Sequence, residues 1–145
     1  TTHDKKAHFI SHNLPDVTIP EGKYVMMTIR SHDQYNTTIY DLHDRYRGIH
    51  GNRRVILMNA NDMIARGWKT RRIVDIVSHF EGQERRSDGW QVIAYDIPEG
   101  NIASYFPGAN VLVPLNSTAE KSNTPTSKWI ICSLLEPGQG LFEEE

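Results

Sequence analysis

Tyr24-Val25-Met26-Met27-Thr28-Ile29 runs directly into Arg30-Ser31-His32-Asp33-Gln34-Tyr35-Asn36-Thr37. The first six residues read as a buried strand, because their apolar character is nearly continuous. Polar side chains gathered at a strand end can point together into a site held by a rigid scaffold. A second polar segment lies far along the chain. It runs Pro114-Leu115-Asn116-Ser117-Thr118, then Thr124-Pro125-Thr126-Ser127-Lys128, and it too abuts apolar runs. Together the two segments offer two cations, several amides and hydroxyls and a phenol. That chemistry suits a large, polar, phosphate-bearing ligand.

Working outward, further strands are predicted at Val55–Met58, Arg72–Ser78, Trp90–Tyr95, Ile102–Phe106, Val111–Val113 and Trp129–Leu135. Glu81-Gly82 and Ser87-Asp88-Gly89 read as turn chemistry bracketing a hairpin. Asn59 or Asn61 caps a short helix through Arg66, which Gly67 closes. Residues 41–53 carry Arg45, Arg47 and Arg53 with Gly48 and Gly51, and read as an exposed loop. About six or seven short strands with one short helix predict a mainly β fold, a small barrel. Residues 1–22 read as a leader or linker, 23–136 as the barrel domain, and 137–145 as a flexible acidic tail.

Composition bounds the function classes. The chain has 145 residues, 38% hydrophobic and 23% charged, which is ordinary for a soluble globular domain. A net charge of -2 gives no global field favouring nucleic acid or an anionic membrane. No apolar run approaches the length of a membrane span. The first residue is Thr1, as in a processed chain or a piece of a longer one. One cysteine, Cys132, excludes an internal disulfide and favours a reducing, cytoplasmic compartment.

Four features, in order and at matching spacing, resemble the C-terminal molybdopterin dinucleotide-binding domain of the molybdopterin oxidoreductases. These are the group of formate dehydrogenase, nitrate reductase and dimethyl sulfoxide reductase. The first feature is Tyr24–Ile29 running into Arg30–Thr37. The second is Asn59-Ala60-Asn61-Asp62-Met63-Ile64-Ala65-Arg66-Gly67 followed by Ile73–Ser78. The third is Ile97-Pro98-Glu99-Gly100 with Tyr105-Phe106-Pro107-Gly108-Ala109-Asn110-Val111-Leu112. The last is Asn116 followed by Pro125 and Lys128. More narrowly, the chain resembles the formate dehydrogenase-like alpha subunits.

The resemblance implies a six-stranded double-psi β-barrel, the aspartate decarboxylase-like barrel. It implies a bis(molybdopterin guanine dinucleotide) cofactor carrying molybdenum, covered by this domain and shared with the other domains of a parent enzyme. Any iron–sulfur cluster and any protein ligand to the metal would lie in those other domains. By carry-over, Arg30, Ser31, Gln34, Tyr35, Asn36, Thr37, Asn116 and Lys128 would line the cofactor. Ser31 and Gln34 depart from related formate dehydrogenases, which often have a bulkier or charged residue and a histidine there. No catalytic residue and no metal ligand is expected within this chain, and the isolated domain is not expected to turn over.

Each of these residues also has a plainer reading. Arg30 could form two parallel hydrogen bonds to a phosphate or a pterin carbonyl, or a surface salt bridge. Lys128 could meet a phosphate or be an exposed strand-start lysine. Gln34, Asn36 and Asn116 could read a pterin or guanine edge, or serve turn geometry. Tyr35 could stack on a ring or pack on the barrel. Ser31 and Thr37 could donate to phosphate oxygens or cap local backbone.

Other chemistries find less support. His8 and His12 have helical spacing, but Pro15 ends the run and no third ligand is near, so zinc is not expected. Cys132 alternates with the buried face of its strand and has no histidine close in sequence. The pairs Arg53-Arg54, Arg71-Arg72 and Arg85-Arg86 are balanced by acids and lack interleaved aromatics. They read as a solvated face or as contacts to other domains, with no nucleic-acid role. A self-processing pyruvoyl decarboxylase on the same barrel needs a Gly-Ser dipeptide, which the chain lacks. The competing reading is a non-catalytic barrel adaptor that binds a protein partner.

Overall fold

The apolar run that opens the domain forms strand β1, Tyr24–Ile29, with the bounds its sequence suggests. The computed structural model describes residues 2–11, 13–14 and 18–139. The later strands are β2, Val55–Met58; β3, Ile73–Phe80; β4, Gln83–Ala94; β5, Asn101–Tyr105; and β6, Ile130–Leu135. They close into a barrel in the order β1-β5-β2-β4-β3-β6. Closure pairs every strand with two neighbours. The expected six-stranded, mainly β barrel is therefore the fold. Two neighbouring pairs, β1 with β5 and β2 with β4, run parallel, and the other four are antiparallel.

Strand β2 is buried at all four residues because it is covered on both faces. Ile56 and Met58 face the barrel interior with Met26, Val74, Ile76, Trp90, Val92, Ile102, Cys132 and Leu134. Val55 and Leu57 face outward into a second cluster with Ile49, Ala103 and Tyr105. Ile49 comes from the stretch read as an exposed loop. The stretch 41–53 is otherwise loop and largely exposed, as expected, with Asp44 and Ile49 its buried residues.

The single α-helix among the described residues, α1, spans Ala60–Ala65, with Asn59 as its N-cap accepting from the Asn61 N–H at 2.7 Å. The Asn59 amide donates to the Ile97 carbonyl, and Asp62 accepts from the Gly100 N–H, so Ile97–Gly100 docks on this helix. Gly67 then takes the left-handed conformation (φ 67°) that ends a helix.

Two sequence expectations fail. Ser87-Asp88-Gly89 does not turn the chain. It lies within the long strand β4, where the register with β3 shifts between Val74 and Ile76. A bulge needs the same small, polar and left-handed residues as a turn, and Gly89 supplies φ 73°. The hairpin turn is Glu81-Gly82, both at positive φ. Val111–Val113 is not a strand. Gly108–Leu112 forms a 3-10 helix that buries Ala109 and Leu112 at the three-residue spacing of that helix.

The arginine pairs divide: Arg54, Arg71 and Arg72 are exposed, as a solvated face requires, whereas Arg53, Arg85 and Arg86 are half-buried. Arg54 donates to Ser87, Arg85 to the Val111 carbonyl, and Arg86 to Asp75. In the N-terminal segment, His8 pairs with Asp4 at 2.8 Å, while His12 lies outside the described residues. Most of the acidic tail, from residue 140 on, also lies outside them.

Candidate functional site

Parallel pairing brings the C-terminal ends of β1 and β5 side by side. Ile29 lies opposite Tyr105, and the Phe106 N–H donates to the Ile29 carbonyl at 2.7 Å. Arg30 and Phe106 therefore leave the sheet together, with the Arg30 guanidinium 5.6 Å from the Phe106 ring centre.

The loop after Arg30 is held from within. The Ser31 N–H donates to Gln34 Oε1 at 3.1 Å. Gln34 Nε2 donates to the carbonyls of Asn36 and Phe106, both at 2.8 Å. Asn36 adopts φ 53°, a left-handed conformation that asparagine tolerates better than most residues, and its Oδ1 accepts from Arg30 at 3.3 Å. Tyr35 and Ile39 close a two-way backbone bridge, which leaves the Tyr35 ring 73% exposed at the loop tip. Thr37 is exposed beside it.

The second polar segment returns to the same strand end. The Thr28 N–H donates to the Ser127 carbonyl at 2.9 Å, and the Lys128 ammonium donates to the Thr28 carbonyl. A groove of about 330 Å³ runs along the second segment to the end of β5, lined by Phe106, Asn110, Pro114, Leu115, Pro125 and Ser127. Arg30, Ser31, Gln34, Asn36 and Lys128 thus gather at one end of the barrel. Asn116 is not hydrogen-bonded to them. Its amide donates to Glu81 at the β3–β4 turn, at 3.1 Å.

The electrostatics of this end are unusual. No ion pair among the described residues includes Arg30, Lys128 or Arg53. Burial, and then the Arg30 charge, hold the Lys128 ammonium below its ordinary pKa. Two cations brought together without a carboxylate favour an anion between or above them.

Beneath the loop lies a neutralised charge pair. Asp44 is buried, accepts from the Tyr105 hydroxyl at 2.8 Å, and pairs with Arg47 at 2.5 Å. Burial opposes ionisation of Asp44. The hydrogen bonds from Arg47 and Tyr105, with the Arg47 charge, outweigh it and hold the carboxyl below its usual range. Burial and then the Asp44 hydrogen bond push the Tyr105 phenol up. Arg47 also donates to the Arg30 carbonyl at 3.3 Å, tying this foundation to the site.

Sequence reasoning did not single out Arg53, Phe106, Asp44 or Tyr105 as part of this end. Only the apolar strand that begins at Val55, two residues on, could have suggested that the Arg53 side chain starts against a packed surface. Its partners are distant in sequence.

Comparison with known proteins bears on the same region. The family model of the molydopterin dinucleotide binding domain matches residues 24–130. An uncharacterized oxidoreductase of Mycobacterium tuberculosis (strain ATCC 25618 / H37Rv) is 49% identical over 134 residues, 89% of this chain and 17% of that protein. Protein YdeP of Escherichia coli (strain K12) is 39% identical over 112 residues, 75% of this chain and 15% of that protein. The chain thus spans about a sixth of the length of these curated relatives.

Proposed function

The chain belongs to the molydopterin dinucleotide binding domain family, and from that premise we propose that it grips bis(molybdopterin guanine dinucleotide) within a larger, formate dehydrogenase-like oxidoreductase. The single observation that carries the location is the pair of cations, Arg30 and Lys128, held without a carboxylate partner where β1 and β5 end.

The residues present fit such a group. A pyrophosphate needs positive charge and N–H donors, and Arg30 and Lys128 supply both. A guanine or pterin edge needs mixed donors and acceptors, which the Asn36 amide offers, and Tyr35 presents an exposed ring face. Asn116, set apart at the β3–β4 turn, would meet a different part of an extended dinucleotide from Arg30. When bound, the cofactor supplies the redox-active metal, which we take to be molybdenum. This chain's residues bind and orient it, and the redox step and any iron–sulfur cluster belong to the rest of the parent enzyme. This domain alone is not expected to turn over. The lone cysteine supports a cytoplasmic location for the parent.

An NMR titration with GDP, a fragment of the proposed cofactor, tests this reading. Binding near the millimolar range, about −4 kcal/mol, is expected for a fragment in half of its cage. Shifts confined to residues 30–37, Phe106 and 116–128 support the assignment. Shifts concentrated elsewhere, or none at millimolar GDP, count against it.

A further inference from the structure

Arg53 lies just ahead of β2, in a stretch whose arginines looked like surface charge. One of its terminal nitrogens donates to Ser31 Oγ at 2.7 Å and to the Asp41 carbonyl at 3.2 Å. The other donates to Gln34 Oε1 at 2.7 Å and to the Phe106 carbonyl at 3.0 Å. The rings of Tyr40 and Tyr105 lie 4.2 and 4.8 Å from its central carbon. A single guanidinium thus joins the first polar loop to the end of β5.

Two features separate this arrangement from an ordinary buried arginine. The first is charge. Every partner of Arg53 is a neutral oxygen, and no carboxylate pairs with it among the described residues. Nearby, Arg47 is neutralised by Asp44. A partly buried cation without a counter-ion costs free energy. Burial also draws its pKa down. The second feature is what its contacts do to its neighbours. Gln34 spends Oε1 on Ser31 and Arg53, and spends Nε2 on two carbonyls. Its polar atoms therefore face inward, which leaves Arg30 and Lys128 as the charged donors of the site.

Resting on the proposed ligand, we infer that Arg53 is the positioning residue of the anion site. It holds the Ser31–Asn36 loop in its ligand-ready shape before a ligand arrives, and it adds an unneutralised positive charge behind that loop. Ser31 and Gln34 act as its handles. The planar fork is essential, because a lysine ammonium is a point charge that cannot span these divergent acceptors.

The test uses this chain with R53K and R53A, read by GDP affinity and by amide hydrogen exchange. R53K keeps the charge and loses the fork; R53A loses both. GDP affinity should fall about fivefold in R53K and about tenfold or more in R53A. Exchange at Ser31 and Tyr35 should quicken about tenfold in both variants, while β1 amides keep their protection. A purely structural role would lower overall stability and leave the affinity of the folded fraction unchanged. Unchanged affinity in a folded R53A, or unchanged loop exchange in both variants, overturns the inference. If the wild-type chain binds no GDP, the ligand assignment fails, and the loop exchange alone decides the role of Arg53. If R53A does not fold, R53K decides it.

Discussion

Replacing Tyr105 with phenylalanine removes one oxygen from the foundation of the site and nothing else. The ring is fully buried and stays in place over the outer cluster, so no cavity forms. The bond lost is from Tyr105 to Asp44, at 2.8 Å, between two residues that are each 2% exposed. A hydrogen bond to a charged acceptor contributes about 1.5–3 kcal/mol. Asp44 keeps Arg47, so its charge is not orphaned, and a cost of about 2 kcal/mol is expected. For a chain of this length that lowers Tm by about 6 °C. The effect depends on pH with a definite sign. Tyr105 helps hold the Asp44 carboxyl below its ordinary value in the folded state. A depressed carboxyl stabilises the fold fully above its unfolded pKa, and that stability is lost as pH falls through the folded value. The gap between wild type and Y105F should therefore be full at pH 7 and narrow below about pH 4. Thermal unfolding followed by circular dichroism at several pH values measures it. A gap under about 2 °C at pH 7, or an equal gap at pH 3, would refute the reasoning.

Three further outcomes are expected. R30A and K128A should each weaken GDP binding about fivefold, the scale of a partly solvated charge contact, and wild-type binding should weaken as salt rises; titrations at two ionic strengths check both. D75N should destabilise the β4 bulge by about 2 kcal/mol at pH 7 in urea unfolding, because Asp75 accepts from Gly89, Gly138 and Arg86. Burial opposes its ionisation, but those bonds hold its pKa down, so the D75N deficit should shrink below about pH 4. Cys132, buried in the core with its thiol pushed up to about 12 by burial, should resist a disulfide reagent in the folded chain and react once urea unfolds it.

The sequence displayed the barrel better than the site. Tyr24–Ile29 is legible because a buried strand needs the apolar continuity it shows. Asn59 and Gly67 are legible because caps have specific chemistry. Ser87-Asp88-Gly89 misleads because turns and bulges ask the same of the backbone, and only the partner strand, slipping between Val74 and Ile76, decides between them. Val111–Val113 misleads because three apolar residues fit a short strand or a 3-10 turn equally well. Arg53 escapes local reading because its acceptors on Gln34 and Phe106 lie 19 and 53 positions away. The same holds for Asn116, whose partner Glu81 is 35 positions off. Strand formation follows local pattern, whereas the site depends on which strand ends the barrel brings together.

The central claim is that the paired ends of β1 and β5, with Lys128, hold the dinucleotide. The most direct measurement is cofactor content in the full-length parent protein, read as metal by mass spectrometry and as guanosine monophosphate released by acid hydrolysis. The wild type should carry both. The double variant R30A/K128A, folded and with an unchanged Tm, should have lost most of both. A wild type without guanosine monophosphate, or a double variant that retains its full content, would contradict the claim.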